Sequence, residues 1–135
     1  MGSELNIVAL YGLFIIVVIV AQVLAAMSQV GLGALASPRD DAGPLTGVAG
    51  RLDRALRNCV VAMVLFAPAV LIVELKGVAG GGSLLAAQVF LIARVLYVPI
   101  YAAGIPWVRT LVWAAGLGAT VALYIFALTA GAAPA

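Results

Sequence analysis

The sequence predicts an all-α fold: an integral membrane four-helix bundle of up-down topology. Three observations carry that expectation. Of the 135 residues, 66% are hydrophobic and only 9% are charged, against roughly 45–50% and about 25% in ordinary soluble domains. The mean hydropathy is +1.26, too high for core packing alone to explain. Finally, the apolar residues fall into four runs of roughly 20 residues or more, separated by short breaks. Each run can cross a hydrocarbon core about 30 Å thick, and short breaks make successive helices antiparallel neighbours.

The first run covers about residues 5–30 and is interrupted only by Asn6, Gln22, Ser28 and Gln29. Met1-Gly2-Ser3-Glu4 lacks a basic region, and no small-residue cleavage site with a soluble domain behind it follows. The run is therefore read as a retained span and not as a signal peptide. Ala36-Ser37-Pro38-Arg39-Asp40-Asp41-Ala42-Gly43-Pro44 has the composition of a loop. The second span covers about 50–73, with Glu74 and Lys76 at its far interface, and Gly77 to Gly82 form a glycine-rich turn. The third covers about 83–103, Gly104-Ile105-Pro106 breaks it, and the fourth covers about 107–130. Residues 1–135 read as a single domain of this kind.

Composition also narrows the chemistry. Histidine is absent and Cys59 is the only cysteine, so a metal centre and an intrachain disulfide are not expected. The net charge of +2 comes with no basic patch on a polar surface, so nucleic acid is not an expected partner. Charge speaks instead to orientation. Arg39, Arg51, Arg54, Arg57 and Arg109 flank the first and third loops, whereas the other side carries Glu4, Glu74 and Lys76. The positive-inside rule then places those two loops in the cytoplasm and both termini outside.

Six of the seven basic residues are arginine, and several fall inside apolar runs. Arg54, Arg57 and Val61 recur at i, i+3 and i+7 on the second span, with Asn58 beside them, and Arg94, Tyr97 and Tyr101 do so on the third. Arg57 lies roughly 10 Å inside its helix and Arg94 roughly 15 Å from the Gly104 break, near mid-membrane. A charge there costs at least about 2.5 kcal/mol unless a partner or a water-filled cavity meets it. Within the spans the arginines outnumber the acidic residues of that half, where only Asp53 occurs, so the pattern points to an anion site. Arg51 and Arg54 also fit an interfacial role, snorkelling to headgroups, and Trp107 and Trp113 fit an aromatic belt or packing. Four helices that enclose Arg94 leave little room for a ligand within one chain, so a cleft between subunits is expected. Small residues Gly12, Ala21, Ala25, Ala26, Gly116 and Gly118 permit close helix approach.

Two segments bear a resemblance. Arg51-Leu52-Asp53-Arg54-Ala55-Leu56-Arg57-Asn58 resembles the start of the second helix in the MAPEG family, the membrane-associated proteins in eicosanoid and glutathione metabolism. Arg94-Val95-Leu96-Tyr97-Val98-Pro99-Ile100-Tyr101, followed by Gly104 and Arg109, resembles that family's third helix and the start of its fourth. The resemblance implies a bacterial-type member in the inner membrane, built as a homotrimer with a glutathione site between neighbours near the cytoplasmic side. It implies that Arg54, Arg57 and Asn58 bind glutathione, that Arg94 lies deep in the site, and that Tyr97 and Tyr101 line it. Arg109 would be the catalytic residue, stabilising the thiolate, with Thr110 in the place of a hydroxyl residue found beside it in some members. Val61 is a departure, because the family pattern usually has a glutamate there to engage the glutathione amine.

The function expected from these readings is a glutathione-dependent transferase or peroxidase acting on a lipophilic electrophile that enters from lipid. The alternative is a non-catalytic membrane protein that binds an anionic lipid or a partner through the same arginines. A small transporter ranks lower, since the chain is short and has no internal repeat.

Overall fold

Every apolar run folds as one continuous helix, because in hydrocarbon each backbone N–H and C=O must find its partner within the segment. The computed structural model describes residues 3–31 and 45–129. The helices are α1 (Ser3–Val30), α2 (Gly47–Leu75), α3 (Gly81–Ala102) and α4 (Pro106–Thr129). All four are long and apolar enough to cross a membrane, with mean hydropathies of 2.9, 2.3, 1.8 and 2.0 over their spans. The chain is an integral membrane protein with multiple spans and an all-α four-helix architecture. The loop expected from Ala36 to Pro44, with Arg39, lies outside the described residues.

Two helix ends are set by glycine. At the end of α2 the Gly77 N–H donates to the Glu74 carbonyl and the Val78 N–H to the Val73 carbonyl. At the end of α3 the Gly104 N–H donates to Tyr101 and the Ile105 N–H to Ile100. Both are Schellman closures, which need a left-handed residue; Gly77 has φ 69° and Gly104 φ 77°. A side chain at either position would strain the turn that sends the chain back across the bundle.

Side-chain contacts at the two ends define the topology. The Gln29 side-chain amide, at the end of α1, bonds the Thr46 backbone just before α2 at 2.8 and 2.9 Å. Arg51, in the first turn of α2, donates from Nε to the Ala102 carbonyl at the end of α3, 2.8 Å away. At the opposite end Ser83, opening α3, donates to Glu4, opening α1. There Lys76, just after α2, donates from Nζ to Ala127 near the end of α4 at 2.6 Å. The ends of α1 and α3 therefore lie with the starts of α2 and α4, which is the up-down arrangement.

The core is narrow and aromatic. Phe66 of α2 and Phe90 of α3 stack with centroids 3.8 Å apart, and Tyr11 of α1 meets Phe90 edge-on at 4.9 Å. The Tyr11 hydroxyl donates to the Cys59 carbonyl at 2.7 Å, fixing α1 to α2 directly behind the buried half of the arginine cluster. Outward-facing leucine, isoleucine and valine side chains cover the rest of the surface, as a lipid-facing bundle requires.

Candidate functional site

On α2, Arg51, Arg54 and Asn58 recur at i, i+3 and i+7 and turn one face toward α3. The Arg54 Nε donates to the Tyr101 hydroxyl at 3.2 Å. Asn58, one turn deeper, accepts at Oδ1 from Arg94 Nη2 at 2.7 Å. Arg57 stands apart from this group. One residue turns a helix by about 100°, so Arg57 leaves the Arg54–Asn58 face, is 78% exposed, and pairs with Asp53 at 3.1 Å. The face expected to join Arg54, Arg57 and Val61 is thus split.

On α3, Arg94, Tyr97 and Tyr101 do share one face, and the rings form a ladder that grades from buried to open. Arg94 is 2% exposed. Its guanidinium carbon lies 4.3 Å from the Tyr97 ring centroid, and its Nη2 is also 3.3 Å from the Cys59 sulfur. Tyr97 meets Tyr101 edge-on at 5.5 Å. Two further guanidinium groups approach the Tyr101 ring, Arg109 at 4.7 Å and Arg54 at 5.9 Å. Each cation–π contact contributes about 0.5–2 kcal/mol, more where water is excluded. Among the described residues, the tyrosines hold three like charges in one region without a carboxylate.

These residues border two adjoining cavities within a single chain. An outer, polar one of about 320 Å³ is lined by Asn58, Tyr97, Tyr101, Arg109, Thr110 and Trp113. An inner, mostly apolar chamber of about 190 Å³ has Arg94, Phe90, Val61 and Thr120 on its wall and shares Asn58 and Trp113 with the first. α4 packs beside the buried arginine at Gly116, where a Cβ would sit 3.4 Å from Arg94 Cδ and 3.6 Å from the Ala93 Cβ, ordinary contact distances.

Of the residues singled out from sequence, Asn58, Tyr97, Tyr101 and Arg109 line the outer cavity, together with Thr110. Arg54 reaches it through Tyr101, and Arg94 lies on the inner chamber. Thr110 bonds the Pro106 carbonyl of its own helix at 3.2 Å. Three contributions went unread. Trp113 lines both cavities, although its type suggested an aromatic belt or packing. Its signal was present, since Arg109, Trp113, Gly116 and Thr120 follow i, i+4, i+7 and i+11 on α4. Cys59 supports Arg94, and Arg51 ties α2 to the end of α3; no local pattern marks either. No acidic residue is among the described residues that line the two cavities. Val61, where a glutamate was expected from the resemblance, adds an apolar wall to the inner chamber.

A search of curated proteins and a search of solved structures each gave no significant match to the chain. The sequence profile of the MAPEG family, by contrast, matches residues 5–129 and so takes in all four helices and both cavities. The chain belongs to the MAPEG family, which is associated in general with glutathione-dependent lipid metabolism and with transferase- or peroxidase-like activity.

Proposed function

We propose that the protein is a membrane-embedded glutathione-dependent transferase or peroxidase that acts on a lipophilic electrophile, with the outer cavity as its thiol site. The observation that carries this reading is Arg109. Its guanidinium lies over the Tyr101 ring in a cavity that also holds Asn58, Tyr97 and Thr110 and has no carboxylate among the described residues of its wall. A fixed cation of this kind stabilises a thiolate, lowering a thiol pKa from about 8.5 toward neutrality. Arginine keeps its charge in such surroundings, where lysine need not.

The residues fit one side of glutathione well. Its carboxylates match arginine forks, and Arg54 is the arginine positioned to meet one, since it already faces the cavity through Tyr101. Arg57, exposed and held by Asp53, would meet the ligand only by contributing to a neighbouring subunit's site in the proposed homotrimer. Asn58 keeps its amide for peptide groups while its carbonyl oxygen accepts from Arg94. The amine side fits less well, because Val61 offers no charge.

In conjugation, the thiolate sulfur bonds to the electrophilic carbon and the leaving group departs with its electron pair. In the peroxidase variant, the sulfur takes the distal hydroperoxide oxygen and becomes a sulfenic acid as the O–O bond breaks, the lipid leaves as an alcohol, and a second thiol attacks that sulfur, expelling the oxygen as water to form the disulfide. Arg109 holds the negative charge before attack in both. The lipophilic partner reaches the site from the bilayer, with the arginine-bearing end toward the cytoplasm of a bacterial inner membrane.

The test is the ultraviolet thiolate band on adding glutathione to purified protein, followed by conjugation of a generic aryl halide and reduction of a lipid hydroperoxide. We expect the band and at least one turnover reaction. No band, no turnover and no protection from unfolding by glutathione would reject the reading. Cross-linking in membranes should give a trimer.

A further inference from the structure

Two amides on the α1–α3 side of the bundle have no part in the thiol site. Asn6 of α1 and Gln88 of α3 line a groove of about 460 Å³, with Ile7, Leu10 and Ile92 among its apolar walls. Both amides are exposed on the outer surface, and among the described residues neither has a hydrogen-bond partner. Their depth follows from the contact of Glu4 with Ser83, which sets the starts of α1 and α3 level. At 1.5 Å per residue, Asn6 lies about 3 Å below that level and Gln88 about 7.5 Å. Helix side chains lean toward the N-terminus, so both amides point back toward the nearer membrane surface. Without a partner, an amide facing hydrocarbon is costly.

The surroundings narrow what that partner is. No charged residue is among the described residues that line the groove, so it suits a neutral polar group joined to apolar matter. A second transmembrane helix keeps its backbone carbonyls for its own hydrogen bonds. The ester carbonyls of a bilayer lipid are free acceptors, and they lie where headgroup gives way to hydrocarbon. Ile92, 60% exposed, also borders a second groove of about 220 Å³ between α3 and α4, whose wall has no polar side chain. Two apolar troughs thus flank α3 below one pair of amides, as a two-chain lipid requires. At this end Glu4 and Glu74 face one base, Lys76, whose Nζ already donates to the Ala127 carbonyl, so an anionic headgroup finds no free cation among the described residues.

We propose that the α1–α3 groove binds a diacyl glycerophospholipid with a net-neutral headgroup. Asn6 and Gln88 donate to its ester carbonyls, one chain lies in this groove, and the other crosses Ile92 into the trough between α3 and α4. The site does not depend on glutathione as the ligand of the outer cavity.

The experiment uses the full-length protein in a non-ionic detergent, with binding read by native mass spectrometry and by thermal unfolding. The probes are dioleoyl phosphatidylethanolamine, its diether analogue without ester carbonyls, and dioleoyl phosphatidylglycerol. The diester should bind about tenfold more tightly than the diether and more tightly than the anionic lipid. Gln88→Leu, an apolar change on a lipid-facing surface, should erase the preference for the ester. If that variant does not fold, the comparison of diester with diether decides the matter. Equal binding of the two, tighter binding of phosphatidylglycerol, or an unchanged ester preference in folded Gln88→Leu would each overturn the assignment. So would efficient disulfide cross-linking of Gln88→Cys between copies in native membranes, since a second copy would then cover the groove.

Discussion

At the end where α1 and α3 begin, Glu4, Ser83 and Lys76 are closed on partners within the chain, whereas toward the end where α2 and α4 begin three arginines are held on tyrosine rings without being neutralised. Glu4 is 3% exposed and accepts from Ser83, whose oxygen also takes the Gly80 N–H at 2.8 Å. Lys76 covers the Ala127 carbonyl near the end of α4. Those contacts fasten helices. Across the bundle, Arg54, Arg94 and Arg109 rest on tyrosine rings, which steady a cation without neutralising it. Two buried side-chain atoms lack a partner among the described residues, Glu74 Oε1 on the fastened side and Arg94 Nε on the open one. Of these two residues, only Arg94 is among those lining the two cavities described above. The difference separates residues that hold the fold from residues that keep charge available for a ligand.

The comparison breaks first at Arg109. Arg109→Ala should lower turnover of the aryl halide about 10²–10³-fold, the usual cost of removing a group that stabilises developing charge. Glutathione affinity should fall much less, as measured by the thiolate band against concentration. Equal losses in both would mean that Arg109 only binds. On the closed side, Ser83→Ala strands a buried carboxylate and should lower stability by about 1–3 kcal/mol. Thermal unfolding in detergent reads that loss, and turnover per folded molecule should stay unchanged; reduced turnover would show that the two ends are coupled. A finer test sets Arg54→Ala beside Arg57→Ala. The first should weaken glutathione about tenfold, since a charge-assisted contact is lost. The second should have a smaller effect, because Asp53 already holds that side chain. The reverse order would place the ligand across a subunit boundary. The smallest change is expected from Lys76→Met, which removes a cation from helix ends and should cost about 0.3–1 kcal/mol with no effect on the thiolate band.

Several site residues were legible because helical spacing is strict: Arg94, Tyr97 and Tyr101 must share a face once α3 is a helix, and they do. Arg57 shows the limit of that logic. The spacing of Arg54 and Arg57 is that of neighbours on one face, yet only packing against α3 decides which edge of the face turns inward, and Asp53 offered Arg57 a local partner. Trp113 illustrates a second limit, since an indole at a membrane interface and an indole on a cavity wall have the same sequence signature.

The sequence by itself determined four apolar helices, their turns and their alternating direction, because hydrocarbon leaves the backbone no other way to satisfy its hydrogen bonds. It also determined that charge had to be accommodated inside them. Tertiary structure decided how: α4 packs beside Arg94 at Gly116, Tyr97 and Asn58 hold the guanidinium, and the space left over divides into a polar cavity and an apolar chamber. Those outcomes depend on side chains from three helices meeting at one level of the bundle, and no single segment of the chain encodes such a meeting.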